Sequence, residues 1–186
     1  MSLPLFVFRV VKVMNPCKLL PIRGIFMKIW TIVFGLLAVT QPAFASNFSD
    51  QLLAVHNGER AQVGAPPLAW NSDLARDAQV WADQLAADGK FEHSTTGDGE
   101  NLWMGSAGAY TGSQMAQTWA DEKAKFTYGA FPDVSTDGNW ANVGHYTQMI
   151  WSTTTDIGCA KATAKGWDIL VCRYRAPGNV QGQKPY

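Results

Sequence analysis

Charge is scarce in this sequence. Asp, Glu, Lys and Arg make up 16% of its 186 residues, the 15 acidic residues cancel the 15 basic ones, and no long charge run occurs. With 47% hydrophobic residues, the chain can bury enough apolar surface to offset the entropy of ordering, which excludes a disordered polymer. No basic excess is available to neutralise phosphates, so nothing points to a nucleic-acid partner. There is no His-Glu-x-x-His, no Gly-x-Ser-x-Gly, no phosphate loop and no dinucleotide fingerprint, so the commonest catalytic motifs are missing. Internal repeats and low-complexity linkers are absent as well. The length fits one domain of ordinary size plus extras.

The zero charge hides an asymmetry. Residues 1–45 carry Arg9, Lys12, Lys18, Arg23 and Lys28 and no acid, leaving residues 46–186 with ten basic against fifteen acidic residues, a formal charge of −5. From Met27, a Lys and an uncharged run from Ile29 to Thr40 lead to Ala43-Phe44-Ala45 before Ser46. A short basic start, an apolar stretch and a small-x-small site make a secretory signal peptide. The run is shorter than the roughly 20 residues of a membrane span; the alternative is a short membrane anchor. The expected organisation is an N-terminal extension and signal over 1–45, the signal at 27–45, and a mature domain over 46–186. Translation starting at Met27, or a long basic lead, would account for residues 1–26. Either way Cys17 drops out, and the location is extracellular, or periplasmic if the source is bacterial.

Cys159 and Cys172 then remain, an even number in an oxidising compartment, which favours a disulfide. Residues 157–160 and 168–174 read as strands around Lys165-Gly166. A two-residue loop there pairs 164 with 167 and sets 159 opposite 172, where two β carbons come within bonding reach. The alternative is two buried free thiols. Asn47-Phe48-Ser49 is a glycosylation sequon, relevant in a eukaryotic secretory pathway.

Three helices are expected. The first runs from about Ser49 to Val63 with Leu53, His56, Arg60 and Val63 on one stripe, stopped by Gly64 and Pro66-Pro67. The second starts near Asn71-Ser72, with Leu74, Ala78, Trp81 and Leu85 on its apolar face and Gly89 after it. The third starts near Ser113, and Met115, Trp119, Glu122 and Phe126 share its stripe. A carboxylate on an apolar stripe is costly unless something pairs with it; a slightly rotated helix would instead put Glu122 at the boundary. A Gly/Asp/Ser-rich loop follows to about Asn139, then the strand pair and an irregular tail. Helices around a small antiparallel sheet give an α+β domain.

The histidines of residues 46–186 are His56, His93 and His145. His56 sits on a helix stripe and reads as a packing and hydrogen-bonding residue. His93 and His145 fall in loop-like or boundary segments that can line a cleft, and Glu100 lies beside a glycine turn. Seven tryptophans, Trp70, Trp81, Trp103, Trp119, Trp140, Trp151 and Trp167, serve either the core or an apolar or sugar-binding groove.

Gly144-His145-Tyr146-Thr147-Gln148-Met149-Ile150-Trp151-Ser152-Thr153-Thr154 resembles the first signature of the CAP superfamily, which holds cysteine-rich secretory, antigen 5 and pathogenesis-related class 1 proteins. Residues 169–180 resemble the second signature, and His56-Asn57-Gly58-Glu59-Arg60 and Gly99-Glu100-Asn101-Leu102 resemble the two shorter ones. The ending Gln183-Lys184-Pro185-Tyr186 is most similar to the plant class 1 type. The resemblance implies a three-layer α-β-α sandwich with a central antiparallel sheet. It also implies a cleft of His93, Glu100, Glu122 and His145. In that reading the two histidines hold a divalent metal, zinc foremost, in an open and weak site, and the glutamates orient them.

Two features depart from the pattern. Plant-type members usually carry three disulfides, and this chain can form one. The plant peptide released from the C-terminus is cut before a proline, and here Arg175-Ala176 occupies that junction. The expected functions are binding of sterols or other lipids, a metal-dependent hydrolase or peptidase built on the same four residues, or a defence or signalling protein acting through a receptor. The charge of −5 disfavours direct binding to anionic membranes.

Overall fold

Asn47 opens the first helix. Its side-chain oxygen accepts the Asp50 N–H at 2.9 Å, satisfying a donor that the first turn would otherwise orphan. The computed structural model describes residues 46–186; the segment 1–26, Cys17 and the signal peptide expected at 27–45 lie outside the described residues. Helix α1 spans Phe48–Val63 and ends at Gly64, whose φ of 73° suits a residue without a β carbon. It buries Leu52, His56, Glu59 and Arg60, so the inward stripe is turned slightly from the one read through Leu53 and Val63. Helix α2, Ser72–Asp88, is capped by Asn71, which accepts the N–H groups of Asp73 and Leu74, and it stops at Gly89.

The sheet contains β1 (Ala69–Trp70), β2 (Gly99–Ser106), β3 (Asp156–Ala164) and β4 (Trp167–Arg175) in the order β1-β3-β4-β2. β2, β4 and β3 are antiparallel, and the two-residue β1 adds a parallel edge to β3. Lys165 and Gly166, with φ of 51° and 83°, form the hairpin turn. The register sets Ala164 opposite Trp167 and Cys159 opposite Cys172, and the two cysteines are joined by a disulfide.

β4 is buried along both faces, and its side chains alternate between two cores. Ile169 and Val171 pack beneath α2 with Ala78, Ala82, Leu85 and Ala86. Leu170, Cys172 and Tyr174 pack on the other side with Leu52, Met115, Trp119 and Met149. The result is an α-β-α sandwich. Alanines on α2 let it approach closely. A β carbon at Gly158 would sit 2.2 Å from the Ala75 nitrogen, so glycine is required where the helix crosses β3.

The third helix is shorter than its sequence pattern. α3 spans Gly112–Ala120, and Asp121–Lys125 tighten into a 3-10 turn. Glu122 therefore leaves the α-helical stripe, because about three residues per turn rotate it away from the 3.6-residue period. The segment containing His145, read as loop-like or boundary, is the first turn of a helix, α4, Gly144–Met149. The glycine turn at Gly99 is instead the start of β2.

Two polar anchors hold the sheet-distal layer. The buried Arg60 guanidinium donates to the carbonyls of Pro66 (2.5 Å), Met149 (3.0 Å), Trp151 (2.8 Å) and Thr154 (2.8 Å), tying α1 to the chain after α4. Burial lowers its pKa to about 10, still charged near neutral pH. Residues 176–186 form an irregular strap. Gly178 N–H donates to Gln148 Oε1 at 2.8 Å, Phe131 N–H to the Gln183 carbonyl at 2.8 Å, and Ser152 N–H to the Pro185 carbonyl at 2.7 Å.

Candidate functional site

Four elements meet at one cleft. His93 comes from the segment after α2, Glu100 from the start of β2, Glu122 from the 3-10 turn after α3, and His145 from the first turn of α4. The fold groups them in two matched pairs. Glu100 Oε1 lies 2.8 Å from His93 Nδ1, and the same carboxylate accepts the Ser94 N–H at 3.0 Å and the Ser94 hydroxyl at 2.6 Å. Glu122 Oε1 lies 2.6 Å from His145 Nδ1, and its Oε2 accepts the N–H groups of His145 and Tyr146 at 3.0 and 3.1 Å. In both pairs the carboxylate is the more deeply set partner: Glu100 is 6% exposed beneath a 59% exposed His93, and Glu122 19% beneath a 33% exposed His145.

A carboxylate on Nδ1 fixes the tautomer. The proton sits on Nδ1 and the Nε2 lone pair is left free. Burial pushes the Glu100 carboxyl up, but hydrogen bonds from His93 and Ser94 outweigh it and hold the group below the ordinary carboxylate value. The Trp119 ring stacks on the His145 imidazole, centroids 5.9 Å apart and planes 21° off parallel. The imidazoles share a cleft of about 240 Å³ with Asn101, Trp140, Gly144 and Asn179. A larger cavity of about 810 Å³ adjoins the other side of the His93–Asp98 segment, between Trp81 and Arg175; His93 is the one histidine on it.

Two imidazole nitrogens suit a divalent cation that keeps water or ligand in its remaining positions. Among the described residues, no group of three or more His, Cys, Asp and Glu stands together as a metal site. A closed tetrahedral site therefore does not fit, while an open two-nitrogen site does.

His56 lies outside the cleft. It is fully buried, with Nδ1 at 2.8 Å from the Leu52 carbonyl and Nε2 at 2.8 Å from the Tyr174 hydroxyl. Burial depresses its pKa to about 4 and raises that of Tyr174 well above the usual phenol value. Asn101 Nδ2 donates to both the Tyr174 hydroxyl and the His145 carbonyl, each at 3.1 Å. The motif histidine thus supports the backbone of the cleft histidine through Tyr174 and Asn101.

The sequence pattern of the CAP family, the Cysteine-rich secretory protein family, matches residues 53–174. The chain belongs to the CAP family. Pathogenesis-related protein 1B of Nicotiana tabacum is 37% identical over 151 residues, covering 81% of this chain and 88% of that protein. Pathogenesis-related leaf protein 4 of Solanum lycopersicum is 38% identical over 151 residues, covering 81% and 91%. These relatives place the chain with the plant pathogenesis-related 1 type of CAP protein. Among solved structures, the crystal structure of NaASP2 with Zn2+ has a TM-score of 0.65 at 24% identity, covering 78% of this chain and 87% of that one. Schistosoma mansoni venom allergen-like protein 4 has a TM-score of 0.54 at 24% identity, covering 76% and 95%. Both likenesses are of fold, the CAP sandwich.

Three more residues of this CAP domain line the cleft without having been assigned to it from sequence: Asn101 and Asn179, which fall within family motifs, and Trp140, read as a core or groove tryptophan. Asn179 carries a local signal, a φ of 55° in a Gly178-Asn179 step. Its side chain accepts from Thr147 Oγ1 at 2.7 Å and donates to the Gly144 carbonyl at 2.9 Å, bracing the turn that carries His145. Trp140 opens a short 3-10 turn, Trp140–Asn142, and has no such signal, since an exposed indole there reads the same wherever it points.

Proposed function

We propose that the protein is exported and acts as a binding protein, holding a divalent cation, zinc foremost, in the His93/His145 cleft and taking a sterol or other lipid at a separate apolar surface. The observation that carries the cation reading is the repeated pairing of imidazole Nδ1 with a carboxylate, which leaves two Nε2 lone pairs in one cleft. A cation bound there would supply a Lewis acid; His93 and His145 would hold it and Glu100 and Glu122 would orient them. Export is supported by the signal at 27–45 and by membership of a secretory family. The plant relatives give the periplasmic alternative no support. Among the described residues, no helix is long and apolar enough to cross a membrane.

The hydrolase reading is less well supported. A general base needs a free lone pair facing the substrate. Glu100 is engaged by His93 and Ser94, and Glu122 by His145 and two backbone N–H groups. Two protein ligands are also fewer than the three usual at catalytic zinc. A receptor-directed defence role draws on the kinship with pathogenesis-related proteins alone.

Equilibrium binding of a labelled sterol, first in chelator and then in zinc, tests the lipid half; saturable binding insensitive to chelator is expected. Calorimetric zinc titration of the wild type and His145→Ala tests the cation half. Equal zinc affinity in the two proteins would remove the cleft from the proposal.

A further inference from the structure

The cavity of about 810 Å³ between Trp81 and Arg175 is left unused by the cation cleft, and it is within the size range of small-molecule sites. α2 supplies one wall through Asp77, Val80 and Trp81, β4 supplies Arg173 and Arg175, and the segment from Glu92 to Asp98 contributes the rest. Trp81 Nε1 donates to the Glu92 carbonyl at 3.2 Å, and the ring packs against the buried cluster beneath α2. The indole is therefore fixed in place, with the core on one side and the cavity at its border. Val80 beside it is 65% exposed.

The charges of this cavity decide which ligand suits it. Asp77, Glu92 and Asp98 face Arg173 and Arg175, and the two guanidinium groups are already matched. Arg175 donates to Asp98 through Nε at 3.1 Å and through Nη2 at 3.0 and 3.3 Å. Arg173, 4% exposed, lies 3.7 Å from Glu100 and 3.9 Å from Asp98, and donates to the Thr96 hydroxyl. The Asp77 and Glu92 carboxylates are at the surface, 3.9 Å from Arg76 and 3.7 Å from Lys90. An anion entering the cavity meets more negative charge than positive. A hydrocarbon chain meets one indole and one valine among polar groups that it would strip of water without replacing the hydrogen bonds.

A neutral polyol meets neither cost. Carboxylates accept from its hydroxyls, the Thr95 hydroxyl can donate or accept, and a guanidinium carries five donors, so Arg175 keeps some for a ligand. The C–H face of a sugar ring also suits the negative face of an indole. We propose that this cavity binds a neutral oligosaccharide, with one pyranose ring against Trp81 and its hydroxyls shared among Asp77, Glu92, Thr95 and Arg175. This is a separate binding function that stands apart from both the cation and the lipid readings.

The experiment titrates the exported protein with cellotriose, laminaritriose and triacetylchitotriose, and with trigalacturonate as the acidic counterpart, following calorimetry and tryptophan fluorescence. Saturable binding of at least one neutral trisaccharide is expected, tighter than that of trigalacturonate. Trp81→Ala should weaken it about tenfold, the scale of one lost aromatic contact. Because Trp81 also packs on the core, the double variant Asp77→Ala/Glu92→Ala makes the same test on exposed side chains alone, and it should weaken binding by a similar factor with unchanged melting temperature. Saccharide binding untouched by either change would overturn the placement in this cavity. Saturable binding of none of the neutral trisaccharides would overturn the proposal itself, and tighter binding of trigalacturonate would overturn it in favour of an anion held by the arginines.

Discussion

The Glu122 carboxylate spans the start of α4, one oxygen 2.6 Å from His145 Nδ1 and the other accepting the His145 and Tyr146 backbone N–H groups. One residue thus caps a helix and sets the direction of an imidazole. Glu122→Ala should therefore have two separable effects. Removing such a supporting partner typically costs 10–100-fold in metal affinity, readable by zinc titration. Loss of the cap costs about 1 kcal/mol, readable in urea. Glu122→Gln, which keeps an acceptor, should restore more of the stability than of the affinity.

His56 gives the stability a pH dependence. Its pKa falls from 6.5 to about 4 in the folded state because burial disfavours the imidazolium. Between those values the unfolded chain binds the extra proton, so stability rises with pH through the window and is lost as pH falls from 6.5 toward 4. A shift of this size corresponds to about 3 kcal/mol. Urea denaturation at pH 4.5 and 7.5 should show a loss of that order. His56→Gln should be less stable at pH 7.5 and should lose less between the two pH values.

Arg60 should tolerate no neutral replacement. Arg60→Met strips the Pro66, Met149 and Thr154 carbonyls of the guanidinium donor and leaves the Trp151 carbonyl with the Thr154 N–H alone, and a buried polar group without a partner costs about 1–3 kcal/mol. Partial rehydration will reduce the sum, and a loss of about 4 kcal/mol or more is expected, seen as a collapse in the secreted yield or the urea midpoint. Arg60→Lys should recover a minor part, since one ammonium cannot fan out to four acceptors.

The Cys159–Cys172 bridge closes a short loop, with a sequence separation of 13. Chain-entropy reasoning gives about 3 kcal/mol for a loop of this size. For a domain of this length that corresponds to roughly 6–12 °C in melting temperature. Calorimetry with and without reductant checks it, and Cys159→Ala/Cys172→Ala should melt close to the reduced protein. A reduced protein that melts with the oxidised one would show that hairpin pairing already imposes the constraint.

What was legible in the sequence was what local physics dictates. Asn71, Gly64 and Gly89 bound α1 and α2 as expected because capping and left-handed turns are decided within a few residues, whereas Asn47, read as part of a sequon, caps α1 just ahead of the start expected near Ser49. The hairpin register followed from Lys165-Gly166 alone. β2 escaped because its first residues, Gly99-Glu100-Asn101, read as a turn; only pairing with β4 makes them a strand. α3 was overextended because its apolar spacing continues past Ala120, whereas the chain tightens to bring Glu122 to α4. His93, Glu100, Glu122 and His145 were named together through family motifs, while their pairing came from four separate elements. Asn101 joins them from β2 beside Glu100, while Trp140 and Asn179 reach the same cleft from two more places in the chain, and nothing local foretells that convergence.

The strand order also sets a timetable for assembly. β2 ends at Ser106, yet among the described residues its one neighbour is β4, which begins at Trp167. During synthesis β2 waits as an open edge until the hairpin that completes it has emerged. A pairing across so long a separation has to meet the cost of loop closure before it is rewarded, which slows folding and leaves an unpaired strand open to pairing with other chains.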